Sequence, residues 1–434
     1  LKRSHFKLSQ VIALLALFAM GNTGLLGQNI AGLTEQETAK RWAVSFSSGL
    51  FYDDNNLNTS TNQLEGWGLE VHPQIGFNLP LERTLLKLSY DLRLNYYDSR
   101  AENPTDYEHQ FEGKINHRLT ERSTLNVIET FISASQPEVH GAPQTTFQQG
   151  DRGDTSHWRN YFRSDYSWRV APTYGFAGGY NNYVYNYEQE QSESERLLGI
   201  ASLSGLLDRV QNQFHMEGQL FPNAQSRTYL GYQINAVNYI SSDIIGYVNQ
   251  DPFATPIPAS YRNAISHYAY IGGDKKFNPR LSGSLSVGAT MTDYYNQDFV
   301  DWAPFLDMSA TYTYAEGSNF RAQAKVDRNA TDSGVGTNSV TRDQLSAILD
   351  LSARHHFAAR LDGTVNFYYQ HSVYNGGDFD GQADDSFFFV PGVEYMILRN
   401  FYLTLNYTRL QLFSPRPDLS FARNRVMLGV RFTY

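Results

Sequence analysis

Apolar and polar residues alternate with a period of two along almost the whole chain, most clearly from Thr84 to Tyr97. There Leu86, Leu88, Tyr90, Leu92, Leu94 and Tyr96 share one face, and Lys87, Ser89, Asp91, Arg93 and Asn95 the other. This period belongs to β-strands, whose successive side chains point to opposite sides of the sheet. The preceding segment sets Trp67, Leu69, Val71, Ile75 and Phe77 against Glu70, His72, Gln74 and Asn78. The last segment sets Val426, Leu428, Val430, Phe432 and Tyr434 against Arg425, Gly429, Arg431 and Thr433. A soluble sandwich explains one or two such strands by burying the apolar face under a second sheet. Repetition at this length along the chain points instead to a sheet with lipid on one side and water on the other.

The strands are joined alternately by short and long connections. Short turns fall at Leu79–Arg83, Leu119–Arg122, Ala171–Thr173, Pro222–Ser226, Asn278–Arg280, Ala315–Ser318, Phe357–Arg360 and Leu398–Asn400. Longer polar connections fall at Asp53–Glu65, Arg100–Asp106, Gln136–Ser156, Glu188–Arg209, Asp243–Arg262, Gln297–Asp301, Thr331–Thr341, Asn375–Asp384 and Ser414–Ser420. The pattern predicts an all-β fold, a transmembrane up-and-down antiparallel β-barrel of about eighteen strands with both termini on the periplasmic side; about sixteen or twenty are the alternatives. The exception to clean periodicity is Glu195–Leu207, which reads as a loop helix, a constriction folded into the lumen, or an extra hairpin.

Composition agrees with a barrel. Tyrosine (30) and phenylalanine (27) dominate an aromatic share of 14%, which suits two interfacial girdles. Mean hydropathy is nevertheless negative, at −0.46, because only alternate residues of a barrel strand face lipid. The net charge of −9 argues against nucleic acid as a partner, and the absence of cysteine removes thiolate metal sites and cysteine nucleophiles. At the start, Lys2, Arg3 and Lys7 precede the apolar run Val11–Met20, which is too short to span a bilayer. The expected organisation is a signal peptide over 1–27, a short periplasmic segment over 28–40, and the barrel over 41–434. With that organisation, no transporter plug domain is expected before the first strand.

The segments Gly49–Asn56, Pro73–Tyr97 and Tyr268–Gly283, the last carrying the Asn278-Pro279-Arg280 turn, resemble the putative β-barrel porin 2 family. The resemblance implies an outer-membrane barrel of a Gram-negative bacterium, linked to exopolysaccharide production or export. The spacing of Gly429, Phe432 and Tyr434 likewise resembles the signal read by the barrel-assembly machinery, with Met427 where a polar residue is usual. Expected partners are therefore outer-membrane lipid and lipopolysaccharide, the assembly machinery and a polysaccharide.

Alternation assigns a lumen-facing set of mixed charge: Lys87, Asp91 and Arg93; Glu108, Glu112, Lys114 and Arg118; Arg159, Arg163, Asp165 and Arg169; His215 and Glu217; Arg321, Lys325 and Asp327; and Arg425 and Arg431. Such rows orient hydrophilic solutes in a selective pore, or pair across strands and fill the lumen. Arg159, Arg163 and Arg169 form the densest basic row, readable as an anion or uronate ladder or as a set of structural ion pairs. The acidic stretch Asp378–Asp385 lacks the closing glutamate of a calcium loop and reads as a solvated loop. Eleven histidines are scattered, and no serine stands in a nucleophile setting, so no catalytic residue, metal or cofactor is assigned. The functional expectation is a porin-like channel for hydrophilic solutes, against a non-conducting surface-display or adhesin-like barrel and, less favoured, a barrel enzyme acting on lipid or glycan.

Overall fold

The computed structural model describes residues 40–135, 155–198, 200–247, 255–331, 340–415 and 419–434. The expected signal peptide, nearly all of the segment after it, and most of the 136–156 and 331–341 connections lie outside the described residues. The first half of the barrel comprises β1 (Trp42–Asp53), β2 (Gly66–Pro80), β3 (Thr84–Tyr97), β4 (Thr105–Thr120), β5 (Ser123–Ala134), β6 (His157–Trp168), β7 (Tyr174–Tyr187), β8 (Arg209–Asn223) and β9 (Ser226–Tyr239). A separate ribbon, β10 (Ile244–Tyr247) with β11 (Pro256–Pro258), interrupts the meander. The second half comprises β12 (Ala264–Asn278), β13 (Leu281–Tyr294), β14 (Phe299–Ala315), β15 (Ser318–Asn329), β16 (Asp343–Ala358), β17 (Leu361–Asn375), β18 (Ala383–Leu398), β19 (Phe401–Phe413) and β20 (Phe421–Thr433).

Eighteen strands pair antiparallel with their chain neighbours, β9 pairs with β12, and β1 pairs with both β2 and β20, so the sheet closes on itself. Closure leaves every strand with a partner on each side, as a sheet in lipid requires. The strands run from 12 to 17 residues, enough for a tilted crossing. All eight short connections lie at one end and the long ones at the other.

Local chemistry fixes the short turns. Asn278 Oδ1 accepts from the backbone N–H of Arg280 and Leu281 at 2.8 and 2.9 Å, and Asn223 Oδ1 accepts from Gln225 N–H at 2.8 Å. Both are side-chain turns of the kind asparagine favours. Gly317, with φ of +68°, takes the left-handed position between β14 and β15.

The outer surface is apolar. Trp42, Trp168, Tyr174, Tyr312, Tyr395 and Tyr434 are exposed near the turn end, and Trp67, Tyr96, Tyr295, Trp302 and Phe413 near the loop end. Between these rings lie exposed aliphatic residues such as Ile75, Leu230, Ile271 and Leu428. One patch departs from this. Glu129 of β5 stands in a single cross-strand row with Phe162, Asn182 and Asn212, and Asn160 donates to Glu129 Oε1 at 2.5 Å.

Inside, the barrel changes character along its axis. Arg321, towards the turn end, is exposed within the lumen, whereas Tyr183, Tyr185, Tyr187, Tyr239, Tyr268 and Tyr294, towards the loop end, are buried. The main apolar cluster is therefore not in the strands alone. It joins inward Tyr187 and Tyr239 to Leu206, Leu207, Ile245, Ile257, Ala259 and Val340, all from the connections.

Candidate solute site in the barrel lumen

The connection between β7 and β8 forms two short helices, α1 (Glu193–Leu198) and α2 (Leu203–Leu207). α1 is closed by a reciprocal cap: Ser192 N–H donates to Glu195 Oε2 at 2.9 Å and Glu195 N–H donates to Ser192 Oγ at 3.3 Å. The Ser192 hydroxyl also holds the Glu195 carboxyl below its usual range. Leu197 and Ile200 beside it are exposed. α2 is the opposite case. Ser202 caps it by accepting from Gly205 N–H at 2.8 Å, and Ser204 through Leu207 are buried.

Ties to neighbouring connections hold α2 in the mouth. Ser202 Oγ donates to Asp243 Oδ2 at 2.5 Å, and Gln191 N–H donates to the same oxygen at 3.1 Å. Gly205 allows this approach, since a Cβ there would lie 3.1 Å from Asp243 Cβ. Arg262, 1% exposed, donates to the Leu206 carbonyl and, at 3.1 Å, to the Thr331 carbonyl, with its guanidinium 4.3 Å from the Tyr239 ring centre. Three long connections thus meet in one lid. Of the readings open for Glu195–Leu207, the structure has a loop helix whose second turn is folded inward.

Asp208 links the lid to the wall. Its carboxylate accepts from Tyr187 N–H at 2.7 Å and Ser204 Oγ at 2.6 Å. Burial pushes its carboxyl up to about 6, against the pull of those two donors, and the charge of Asp243 adds to the rise while Arg209 opposes it.

Beneath the lid lies a partly open cavity. Its wall is Tyr185 of β7, Arg209 and Gln211 of β8, Tyr239 of β9, Ser266 and Tyr268 of β12, and Thr292 and Tyr294 of β13. Arg262 enters from the lid, and Arg328, Arg342 and Asp343 from β15, β16 and the connection between them. None of these arginines is in the set assigned from alternation. Arg209 and Arg328 do sit at strand ends, but their convergence depends on which loops fold inward, and no spacing encodes that.

The alternation-derived residues lie elsewhere on the inner wall, and most are engaged across strands. Asp91 accepts from Gln74 Nε2 at 2.5 Å and lies 2.6 Å from His72 Nε2. Arg93 and Glu108 approach at 3.8 Å, Lys114 and Glu112 at 2.8 Å, and Lys325 and Asp327 at 3.0 Å. Arg163 and His215 both reach Asp165, at 2.5 and 3.3 Å. Glu217 lies 3.8 Å from Arg227, Arg425 pairs with Glu70 at 2.9 Å, and Arg431 with Glu394 at 2.6 Å. Arg159 stands opposite inward Ile132 and Tyr185, and Lys87 opposite Lys114. Arg169 is a correction. β6 ends at Trp168, so Arg169 lies exposed in the turn, donating to the Pro172 carbonyl and stacked 4.4 Å from the Phe221 ring centre. It stands one residue beyond the strand that carries Arg159 and Arg163.

Among the described residues no three His, Asp or Glu side chains converge on a metal position. Within the acidic connection after β17, Asp380 Oδ1 accepts from Gly376 N–H at 2.7 Å and shapes a turn.

With this geometry in place, sequence comparison bears on the family. Residues 344–434 match the profile of putative beta-barrel porin 2. This is the family that the sequence resembles, and the match covers nearly all of β16 and the whole of β17 to β20; the segments at 49–56, 73–97 and 268–283 lie outside it. The fold is a closed eighteen-stranded antiparallel β-barrel. No curated protein matches the chain in sequence. In shape it is similar to the outer membrane protein OpdK of Pseudomonas aeruginosa, at 10% identity and a TM-score of 0.42, over 91% of this chain and 99% of that one. It is similar also to OccAB4 of Acinetobacter baumannii, at 9% identity and a TM-score of 0.43, over 91% and 99% of the two chains. A third likeness is to the ferric enterobactin receptor PfeA of Pseudomonas aeruginosa, at 8% identity and a TM-score of 0.45, over 90% and 81%.

Proposed function

We propose that the protein is an outer-membrane conduit for a hydrophilic solute, constricted at its outer mouth by the inward-folded connections, and that it serves exopolysaccharide movement. The observation that carries the reading is the contrast between the two faces of one closed sheet. The outside is an apolar band between aromatic rings; the inside carries charged rows such as Asp91, Arg163 and Lys325. Opposed charges along a water-filled lumen favour polar solutes over apolar ones. A barrel acting only by surface display has no use for a loop helix buried against its own inner wall. Placing Leu206 and Leu207 among Tyr187 and Tyr239 narrows the path instead.

Single-channel recording in planar bilayers tests this. The expected result is a stable stepwise conductance that rises when residues 193–207 are replaced by a short Gly/Ser linker. A folded, inserted barrel that stays silent both with and without the helices overturns the reading in favour of a display protein.

A further inference from the structure

The cavity under the lid is basic out of proportion to the chain. The protein as a whole carries −9, yet the cavity's described lining holds four arginines, Arg209, Arg262, Arg328 and Arg342, and a single acid, Asp343. That acid is committed. Arg328 Nη1 donates to both of its oxygens, at 3.0 and 3.1 Å, and Tyr294 donates to it as well. Arg328 also binds Asp301, so its own charge is answered.

Arg209 and Arg342 are answered less directly, Arg209 by the neighbouring Asp208 charge without a close contact. Neither has a carboxylate within ion-pair distance among the described residues. Arg209 lies 4% exposed with its guanidinium 3.9 Å from the Tyr185 ring centre and one nitrogen on the Leu207 carbonyl, at 2.8 Å. Arg342 lies 4.0 Å from the Phe299 ring centre and donates to Asn375 Oδ1 at 3.2 Å. The Nε of each is buried with no acceptor. Stacking holds both guanidinium groups in place without neutralising them. In a partly desolvated pocket, positive charge left in this way attracts an anion far more strongly than a surface lysine does.

The rest of the wall narrows the class of anion. Tyr185 and Tyr239 each carry a stacked arginine, the Tyr268 and Tyr294 hydroxyls donate to Asp327 and Asp343, Ser266 and Thr292 bond each other at 2.9 Å, and Gln211 completes a wall of aromatic rings and neutral polar groups around the arginines. A simple inorganic ion needs no such lining. A ring bearing hydroxyls and one carboxylate matches this mixture of cationic, neutral polar and aromatic groups, the carboxylate taking charge-assisted bonds from guanidinium groups.

We propose that this cavity is a binding site for a carboxylate-bearing sugar, a uronate residue in chemical class, with Arg209 and Arg342 as its anion-reading groups. The proposal rests on the conduit reading for its biological setting, and its test does not. Titrating D-glucuronate, D-glucose and inorganic sulfate into the detergent-folded protein by calorimetry separates the cases. D-glucuronate is expected to bind at least about tenfold more tightly than either of the others, and to weaken as salt rises. Arg209→Gln and Arg342→Gln, on separate elements and each checked for heat-modifiable folding, are each expected to weaken D-glucuronate about tenfold or more. Equal binding of D-glucose, preferential binding of sulfate, or D-glucuronate binding unchanged in both variants overturns the proposal. Conductance without the uronate preference overturns this site alone; uronate binding by a barrel that never conducts overturns the conduit alone.

Discussion

Arg423 and Asp53, 370 residues apart in sequence, form a bidentate ion pair across the closing seam of the barrel. Arg423 Nε lies 3.0 and 2.9 Å from the two carboxylate oxygens, and Nη2 lies 2.5 Å from Oδ2. Asp53 is fully buried at the end of β1, and Arg423 is buried near the start of β20. The pair pins the two strands whose meeting turns an open sheet into a barrel.

Removing one partner strands a buried charge, which costs about 3–5 kcal/mol. Asp53→Ala is therefore expected to lower stability by about 3 kcal/mol in urea unfolding from lipid vesicles. Arg423→Ala should do the same, and the double variant should lose clearly less than the sum. Additive losses would show that the two residues act independently.

Leu88 and Ser89 are neighbours in β3 that face opposite media. Leu88 stands opposite Phe77 and Gly113 on the outer face, and Ser89 opposite Gly76 and Glu112 on the inner one. Leu88→Arg is expected to cost about 2–4 kcal/mol if it lies near the midplane, and less nearer the interface. Ser89→Arg should leave stability nearly unchanged and alter conductance. Similar effects from both would reverse the facing of β3.

The lid should respond to pH through Asp208. Its carboxyl is raised from 3.8 to about 6 when the lid is docked. A raised carboxyl binds its proton more tightly in the docked state, so docking is fully favoured below 3.8 and loses this contribution as pH rises through about 6. Open time in single-channel records is expected to increase between about pH 4 and about pH 7. Asp208→Asn, permanently neutral, should flatten that profile. A profile unchanged in the variant would exclude Asp208 as its source.

Glu129 is a carboxylate on the outer face of the sheet, with Asn160, Asn182 and Asn212 about it. Glu129→Leu is expected to raise stability by about 1–2 kcal/mol in lipid vesicles, since an acid on this face is unfavourable. A loss of stability instead would show that another protein surface, not lipid, covers the row.

Much of the architecture was legible in the chain. The turns at Asn278–Arg280 and Ala315–Ser318 carry their own signals, an asparagine that closes the turn and a glycine at positive φ. Between such turns, the facing of residues such as Leu88 and Ser89 follows from position alone, and counting gives about eighteen strands, which the closed sheet fixes at eighteen. Arg169 shows where this reasoning stops: it keeps the parity of Arg159 and Arg163, but the strand has already ended one residue before it.

The sequence by itself determined the barrel and the alternation of its two faces, and brought the strand number to about eighteen, because period-two alternation and turn chemistry act between residues a few positions apart. Only the tertiary structure decided that α2 folds inward, that Asp208 is buried, and that Arg209, Arg262, Arg328 and Arg342 share one cavity. Those outcomes depend on contacts between connections far apart in the chain, such as Arg262 with Leu206 and Thr331, where burial of Leu207 against Tyr239 and the supply of carbonyl acceptors outweigh any local preference.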